Sequence, residues 1–238
     1  MKGWVLVTGA GQRIGRAIAL ELATHGWDIV VHYHKSQKTA AETAEAIHAL
    51  GRNACLAEID LSDAAYAENL IPSLAEEIGM IDALVNNAAL FDTDEDDPDG
   101  TRHMALNADA PRLLSKAFRD HLPKKESGII VNLLDATPMP PHLSAYAKSK
   151  ETLRQLTLNM AKSFAPQVRV NGVAPGYVLP GPRQSEEAFL KMVAATPQKT
   201  PVSPEEIARA VRRLIESPGL TGEIVTVAGG TNTSAPVN

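Results

Sequence analysis

Tyr146 and Lys150 stand four residues apart, and residues at this spacing share one face of a helix. A tyrosine phenol titrates near ~10 in water, too high for ready proton exchange at neutral pH. A lysine charge about 4 Å away, at an effective dielectric constant of ~20, favours the phenolate by roughly 4 kcal/mol, or about three pKa units. The pair therefore predicts a general acid/base tyrosine. Chance pairing on a helix surface produces the same spacing.

The elements that must position this pair are strands and helices in alternation. The predicted strands are Trp4–Val7, Asp28–His32, Cys55–Ile59, Ala83–Val85, Ile129–Leu133, Val168–Val173 and Glu223–Val227. The predicted helices cover roughly Ile14–His25, Lys38–Leu50, Asp63–Ile78, Asp99–His121, Ser144–Phe164 and a segment that begins near Pro204. This alternation is typical of a parallel sheet covered on both faces. We expect an α/β fold, with residues 1–238 forming a single Rossmann-type domain whose doubly wound parallel sheet has about seven strands.

A glycine-rich turn, Thr8–Gly15, lies between the first strand and the first helix. Gly9 and Gly11 permit a tight turn and close approach of the backbone to a ligand, while Gly15 lets the helix pack on the sheet. The N-terminus of the helix, at Ile14, attracts an anionic pyrophosphate. We interpret the turn as a dinucleotide-binding site.

The residues after the second strand indicate which dinucleotide binds. Sheets that prefer NAD place an acidic residue there to hold the ribose 2′-hydroxyl, but this chain has no carboxylate between His32 and Ser36. Lys35, Ser36 and His34 can instead accommodate a 2′-phosphate, and Arg13 is a further candidate. We predict NADPH rather than NADH. The alternative is an exposed basic loop without a ligand.

The composition excludes several other classes of function. A net charge of -5 gives no support to binding of nucleic acid or of an anionic membrane. No apolar run is long enough to cross a membrane, and no signal peptide precedes the first strand. A single cysteine, Cys55, excludes an intrachain disulfide, and the histidines show no metal-binding pattern. We expect a cytoplasmic protein without a metal site.

Two stretches interrupt the alternation of strands and helices. The first, Asp92–Gly100, carries six acidic residues, and we interpret it as a solvated loop before a helix. The second covers residues 177–203 and has several prolines around a short helical piece, Glu186–Val193. A long insertion after the carboxyl end of a strand is typical of a substrate loop or lid.

Taken together, these motifs resemble the short-chain dehydrogenase/reductase family over essentially the whole chain. The matching positions are Thr8–Gly15, Asp60, Asn86-Asn87-Ala88, Asn107, Tyr146 with Lys150, and Pro175-Gly176. The resemblance implies that Asp60 contacts the adenine, with Leu61 beside it. It also implies that Asn87 and Ala88 support the cofactor.

The same resemblance implies roles near the nicotinamide and an assembly. Lys150 binds the nicotinamide ribose and lowers the pKa of Tyr146, Asn107 holds a water of a proton relay, and Pro175 and Gly176 belong to the cofactor site. The family also suggests a homotetramer, with the helices near residues 99–121 and 144–164 packed between subunits.

Within the family, three residues resemble the pteridine reductase branch. Asp135 stands where enzymes acting on alcohols and ketones usually have a serine, Arg13 stands in the glycine-rich turn, and Phe91 follows the Asn-Asn-Ala turn. The resemblance implies a pterin-like substrate bound by Arg13, Phe91, Asp135 and Tyr146. NADPH then delivers a hydride and Tyr146 supplies the proton to nitrogen.

Two other functions stay open at the level of sequence. If the short segment between Asp135 and Tyr146 displaces the carboxylate, Thr137 or Ser144 supplies the hydroxyl of an NADPH-dependent carbonyl reductase acting on ketones, acyl thioesters or sugars. A non-catalytic NADPH sensor is the third possibility. The presence of Tyr146, Lys150 and Asn107 argues against it, because family members that lose catalysis commonly lose the tyrosine–lysine pair.

Overall fold

Seven parallel strands form one sheet in the computed structural model, which describes residues 2–231. The strands are Trp4–Val7 (β1), Asp28–Tyr33 (β2), Ala54–Glu58 (β3), Ile81–Asn86 (β4), Gly128–Leu133 (β5), Val168–Pro175 (β6) and Ile224–Val227 (β7). Their order is β3-β2-β1-β4-β5-β6-β7. The chain therefore moves outward from β1 to one edge, returns, and continues from β4 to the other edge. Ligands bind where this order reverses, at the carboxyl ends of β1 and β4.

Helices cover both faces of the sheet. The helices are Arg13–Thr24 (α1), Gln37–Ala49 (α2), Ala64–Ile78 (α3), Thr101–Met104 (α4), Ala110–His121 (α5), Ser144–Ser163 (α6), Glu186–Ala194 (α7) and Pro204–Glu216 (α8). A π-helical turn, Ala105–Asp109, joins α4 to α5, and a 3-10 turn, Pro141–Leu143, precedes α6. The α/β architecture predicted from the sequence is confirmed.

The strands separate two apolar layers, as a doubly wound sheet requires. One layer packs β1 and β2 against α1, α2 and α8, and the other packs the opposite face of the sheet against α3, α5 and α6. In α1 the buried residues recur at helical spacing, with Ile18 and Leu22 fully buried. The inner strands β1, β2, β4 and β5 are almost completely buried, which explains their nearly continuous apolar sequences, whereas the edge strands β3 and β7 are partly exposed.

A buried polar ladder interrupts the second apolar layer. Asn86 and Asn132 are opposite each other in the β4–β5 register, and the Asn86 amide donates to Asn132 Oδ1 at 2.8 Å. The Asn132 amide donates in turn to Thr157 Oγ1 on α6 at 2.8 Å. All three residues are buried. The ladder therefore ties the sheet to the helix that carries Tyr146 and Lys150.

No helix within residues 2–231 is both long and apolar enough to cross a membrane.

Candidate active site

The glycine-rich turn is held by the strand ends beneath it. Thr8 Oγ1 accepts hydrogen bonds from the backbone N–H groups of Asn87 and Ala88, each at 2.9 Å. The Asn87 amide donates to Thr8 O at 2.8 Å. Only glycine fits at position 15, because a Cβ there would lie 2.1 Å from the carbonyl oxygen of Gly9. These contacts place the start of α1 at the carboxyl ends of β1 and β4.

His32 braces the turn from below, a role that the sequence did not reveal. Its Nδ1 accepts a hydrogen bond from the Gly9 N–H at 3.0 Å, so Nε2 carries the proton and donates to Ile59 O at 3.0 Å. Burial lowers the pKa of His32 to about 4. The imidazole is therefore neutral at physiological pH and fixes the turn by two hydrogen bonds.

Arg13 occupies a strained position at the start of α1. Its φ is 54°, in the left-handed region that glycine adopts readily and other residues rarely do. The exposed guanidinium donates from Nη2 to Pro180 O at 2.8 Å. Arg13 thus links the glycine-rich turn to the start of the predicted lid.

The residues predicted to bind the adenosine end lie together beyond β2. His34, Lys35 and Ser36 line the same cleft as Asp60 and Leu61. The Asp60 carboxylate accepts hydrogen bonds from the Ser62 backbone at 3.0 Å and from its hydroxyl at 2.7 Å. It also lies 3.7 Å from His34 Nε2. The Ser62 hydroxyl is the main reason that the pKa of Asp60 is lowered.

Helix α6 presents Tyr146 and Lys150 on its buried side. Its first turn is capped by Asp94, a residue 50 positions earlier in the chain, rather than by its own N-cap residue Leu143. The Asp94 carboxylate accepts from the Ser144 and Ala145 backbone N–H groups at 3.1 and 3.0 Å and from the Ser144 hydroxyl at 2.6 Å. Asp94 therefore supports the end of the helix from which Tyr146 projects.

Asp135 bonds directly to Tyr146. The phenol donates to Asp135 Oδ2 at 2.8 Å, and Asp135 Oδ1 accepts from the Thr137 N–H at 2.7 Å and from the Thr137 hydroxyl. Lys150 Nζ donates to the carbonyl of Leu133 at 2.9 Å and lies 5.8 Å from the centre of the Tyr146 ring. Carboxylate, phenol and ammonium therefore line the same part of the cleft.

The protonation of this trio differs from the expectation based on the Tyr146–Lys150 spacing. Burial, and then the charge of Asp135 and its hydrogen bond, raise the pKa of Tyr146 well above its usual value, the opposite direction to the one predicted. Burial also lowers the pKa of Lys150 to about 8, against the opposing effect of Asp135. The phenol therefore stays protonated and able to donate. The spacing argument failed because neither burial nor the carboxylate is visible in an i, i+4 pattern.

Asn107 lies apart from the cleft, within the π-helical turn. It is fully buried and does not line the cleft. Its Oδ1 accepts from the Leu90 N–H at 2.7 Å, and its amide donates to Leu90 O at 2.9 Å and to Ser149 Oγ at 3.0 Å. Both N–H groups of the Asn107 amide therefore donate to protein atoms. The side chain fastens the Leu90 loop to α6.

The other predicted site residues line a single cleft of about 860 Å³. Its walls include Gly9, Arg13, Ile14, His34, Lys35, Ser36, Asp60, Leu61, Asn87, Ala88, Phe91, Asp135, Tyr146, Lys150, Pro175 and Gly176. Phe91 is 37% exposed and meets the Tyr146 ring edge-on, with 4.7 Å between ring centres. Thr137 lies in the cleft wall too, whereas Ser144 is absent from the lining and bonds to Asp94. The cleft therefore runs from a cationic end to the Tyr146 trio.

The predicted lid forms one wall of this cleft. Gly181, Pro182, Phe189 and Met192 belong to the lining, and α7 lies within the insertion. The two ends of the insertion meet, because the Val202 N–H donates to Tyr177 O at 3.0 Å. The insertion thus closes on itself beside the site, and Gly181, near its start, lies against Phe91.

The acidic segment is a loop before α4, as the sequence indicated, but it is only partly solvated. Asp97 is buried and bonds to the buried ring of His103, with 2.6 Å between Oδ2 and Nδ1. Asp94 caps α6, and Asp99 accepts from the Thr101 N–H at 3.0 Å. The segment also forms ion pairs, from Asp92 to Arg102 and from Asp92 and Asp96 to Arg183 of the lid. Sequence reasoning missed them because the partners are far apart along the chain.

The model of the family described as short chain dehydrogenase matches residues 3–190. The chain belongs to this family. As a short-chain dehydrogenase it is an oxidoreductase that uses a nicotinamide cofactor, and its Tyr146, Lys150 and glycine-rich turn occupy the cleft just described.

Similar proteins within the family differ in the substrates that they are named for. A crystal structure of FolM alternative dihydrofolate reductase 1 from Brucella canis, complexed with NADP, has a TM-score of 0.92 and 34% identity, covering 99% of this chain and 97% of that one. A 3-oxoacyl-(acyl-carrier-protein) reductase of Synechocystis is 32% identical over 94% of this chain and 95% of its own length. An uncharacterised oxidoreductase of Methylorubrum extorquens is 31% identical over 94% and 96%.

The residues of the cleft fit a nicotinamide dinucleotide. The first turn of α1 has no side-chain cap, and Gln12, Arg13 and Ile14 line the cleft, so backbone N–H groups are available to a pyrophosphate there. Lys35 adds a cation at one end, and the buried ammonium of Lys150 stands at the other. The donor set thus suits a bound dinucleotide with an anionic centre.

Proposed function

We propose that this protein is an NADPH-dependent reductase of a pteridine substrate of the dihydropterin or dihydrofolate type, with Tyr146 as the proton donor. The hydrogen bond of 2.8 Å from the Tyr146 phenol to Asp135 carries the proposal. A ketone that accepts a hydride develops an oxyanion, which a carboxylate at this point would repel. A pteridine C=N bond instead leaves a nitrogen that needs a proton.

The residues of the trio have distinct roles in this reaction. Bound NADPH supplies the hydride to the pyrazine ring. Asp135 keeps the Tyr146 phenol protonated and accepts hydrogen bonds from the amino and amide N–H groups along the pyrimidine edge of the substrate. Tyr146 then gives its proton to the ring nitrogen, and Lys150 stabilises the resulting phenolate.

Phe91 and Arg13 hold the substrate in this proposal. Phe91 is partly exposed beside Tyr146, so its ring offers a flat apolar surface on which a pterin can stack against the nicotinamide. The Arg13 guanidinium lies at the turn where the pyrophosphate is expected and already reaches the lid. The similarity to the Brucella canis FolM structure with NADP supports both the cofactor and the substrate class.

NADPH is the proposed cofactor because a 2′-phosphate would meet the Lys35 ammonium and hydrogen-bond donors, and the segment that directly follows β2 contains no acidic residue. Lys35, Ser36 and His34 line that part of the cleft. Asp60 is also near, but its charge is engaged with Ser62 and His34. We expect kcat/KM to be higher with NADPH than with NADH. A preference for NADH would contradict the assignment.

The test is an NADPH-oxidation assay with a dihydropterin, dihydrofolate, oxidised biopterin and a panel of small ketones. We expect turnover of the pteridines. Tyr146→Phe should lower kcat by about 10²–10⁴-fold while NADPH affinity is retained, since the variant loses only the proton donor. Turnover of ketones alone would reject the pteridine assignment, and unchanged turnover by Tyr146→Phe would remove this residue from the mechanism.

A second candidate is an NADPH-dependent carbonyl reductase. It is favoured by the Thr137 hydroxyl in the cleft wall and by the similarity to the Synechocystis 3-oxoacyl reductase. Asp135→Ser separates the two functions, because it replaces the carboxylate with an oxyanion-stabilising hydroxyl. The pteridine proposal expects this variant to lose pteridine turnover and gain ketone turnover. A wild-type enzyme that already prefers ketones favours the second candidate.

A further inference from the structure

Arg183 joins two walls of the cleft that are far apart in the chain. It lies in the lid, one residue beyond the cleft-lining Pro182. Its Nη1 is 2.8 Å from Asp96 Oδ2 and its Nη2 is 3.6 Å from Asp92 Oδ1. Asp92 directly follows Phe91, the aromatic residue beside Tyr146. The ion pairs therefore connect the lid to the segment that carries Phe91.

The acidic side of this contact is held by its own neighbours, and Asp92 Oδ2 also lies 3.3 Å from Arg102 Nη2, which leaves Asp96 as the main partner of Arg183. Thr93 holds Asp96 through its hydroxyl, at 2.7 Å from Oδ2, and His103 Nε2 accepts from the Asp92 N–H at 3.3 Å. His103 is itself fully buried. Arg183, more than any other group, lowers the pKa of Asp96 to about 2. Thr93 and His103 thus hold the acidic segment in place where the lid meets it.

The lid side of the contact is closely packed. A Cβ added to Gly181 would lie 3.0 Å from Cε1 of Phe91, so the lid backbone rests against the ring. The Gly181 N–H donates to Gln184 Oε1 at 3.1 Å, and the Gln184 N–H donates to Gly181 O at 3.0 Å, which closes a tight turn around Arg183. The position of Arg183 therefore sets how closely the lid approaches Phe91.

We propose that Arg183 is a positioning residue that latches the lid to Asp92 and Asp96 and so holds the acceptor-binding wall of the cleft closed. It does not line the cleft, and its guanidinium points to the acidic segment. Replacement of Arg183 should therefore weaken binding of the molecule that accepts the hydride (the acceptor), without altering Tyr146 or the adenosine end of the cleft. The kinetic part of this inference rests on the proposed function, because it needs a turned-over acceptor.

The kinetic test compares Arg183→Gln, Arg183→Lys and the control Lys191→Gln with the wild-type protein. Lys191 lies on α7 of the same lid, and the described part of the chain shows no ion pair for it, so its variant matches the change in charge alone. Because the pair is exposed to solvent, Arg183→Gln should raise the KM of the acceptor by about 2–5-fold, with kcat and the KM of NADPH unchanged. Arg183→Lys keeps the positive charge, so its KM for the acceptor should lie close to the wild-type value. Lys191→Gln should have the wild-type KM.

Salt provides a second arm of the kinetic test. At 0.5 M NaCl the screening length falls to roughly 4 Å, so the ion pair weakens in the wild-type protein. The ratio of acceptor KM between Arg183→Gln and wild type should then approach one. A ratio that does not change with salt would contradict an electrostatic latch.

Hydrogen exchange tests the latch without any substrate. Backbone amides of residues 179–195 should exchange faster in Arg183→Gln than in wild type and Lys191→Gln, at low salt. Faster exchange in Arg183→Gln, together with no turnover of pteridines by the wild-type protein, would support the latch and reject the proposed function. If Arg183→Gln exchanges its lid amides as slowly as wild type and has the wild-type KM, the latch is overturned. A loss of both kcat and NADPH binding in this variant would also overturn it, because Arg183 would then be needed for the fold as a whole.

Discussion

At the scale of the residue, the chemistry of the site is decided by environment more than by residue type. The sequence identified Tyr146, Lys150 and Asp135, and all three line the cleft. The carboxylate of Asp135 was expected to offset Lys150 in part and to keep the phenol protonated, but burial, the largest cause of the raised pKa of Tyr146, depends on the three-dimensional packing. Residue type and spacing therefore identified the participants but not the net direction of the pKa shift.

His32 gives a prediction at the same scale. Its pKa is lowered to about 4 from the usual histidine value of 6.5, so the unfolded chain binds more protons than the folded chain between these two pH values. The contribution of neutral His32 to stability is therefore complete above pH 6.5 and is lost as pH falls toward 4. Between pH 7 and 5, this loss should be about 2 kcal/mol, at ~1.4 kcal/mol per pKa unit.

The measurement is urea unfolding of wild type and His32→Gln at pH 7 and pH 5. The variant cannot take up this proton, so its free energy of unfolding should fall less between the two pH values than that of the wild-type protein. His25→Gln is the matched control, because His25 directly follows α1 and its side chain is 38% exposed. Equal pH dependence in wild type and His32→Gln would show that His32 is not buried as a neutral ring.

At the scale of the element, the sequence predicted strands and helices within two residues of the observed ends. Hydrophobic periodicity and turn residues are local signals, so they were sufficient for this purpose. The π-helical turn at Asn107 was not predicted, because it accompanies contacts with Leu90 and Ser149 that lie elsewhere in the chain. The cap of α6 was missed for the same reason.

That cap gives the prediction for the element. Asp94→Ala removes the acceptor for the first N–H groups of α6 and should lower the free energy of unfolding by about 1 kcal/mol. Because Tyr146 projects from the same turn, kcat should fall several-fold as well. Asp63→Ala is the matched control, since Asp63 caps α3 by accepting from the Ala65 N–H at 2.8 Å, away from the cleft.

Denaturant unfolding and steady-state kinetics of the two variants check this prediction. The Asp63 variant should lose similar stability and keep the wild-type kcat. If both variants keep the wild-type kcat, the cap of α6 contributes stability only and does not position Tyr146.

At the scale of the whole molecule, the alternating pattern predicted a doubly wound parallel sheet, and the observed order of its strands places the cleft at the reversal between β1 and β4. The lid was predicted from its length and position, but its contacts were not. Arg13 reaches Pro180 across 167 positions of sequence, and Arg183 reaches Asp96. Pairings at such separations leave no periodic signal in a single sequence.

The family resemblance also gives a prediction for the assembly. We expect a homotetramer, with α5 and α6 packed between subunits. Sedimentation at several protein concentrations should give a mass near four times the 25.4 kDa of one chain. A mass of one chain at every concentration would contradict the expected assembly and leave the site of each subunit complete by itself.

The ladder of Asn86, Asn132 and Thr157 also bears on how the chain finds this arrangement. A slip of β5 by one residue would turn Asn132 to the other face of the sheet and strand its former partners in an apolar layer. Each orphaned amide or hydroxyl would cost about 1–3 kcal/mol, so misaligned pairings are disfavoured during folding. These three polar side chains thus favour the one strand register in which Tyr146 lies beside Asp135.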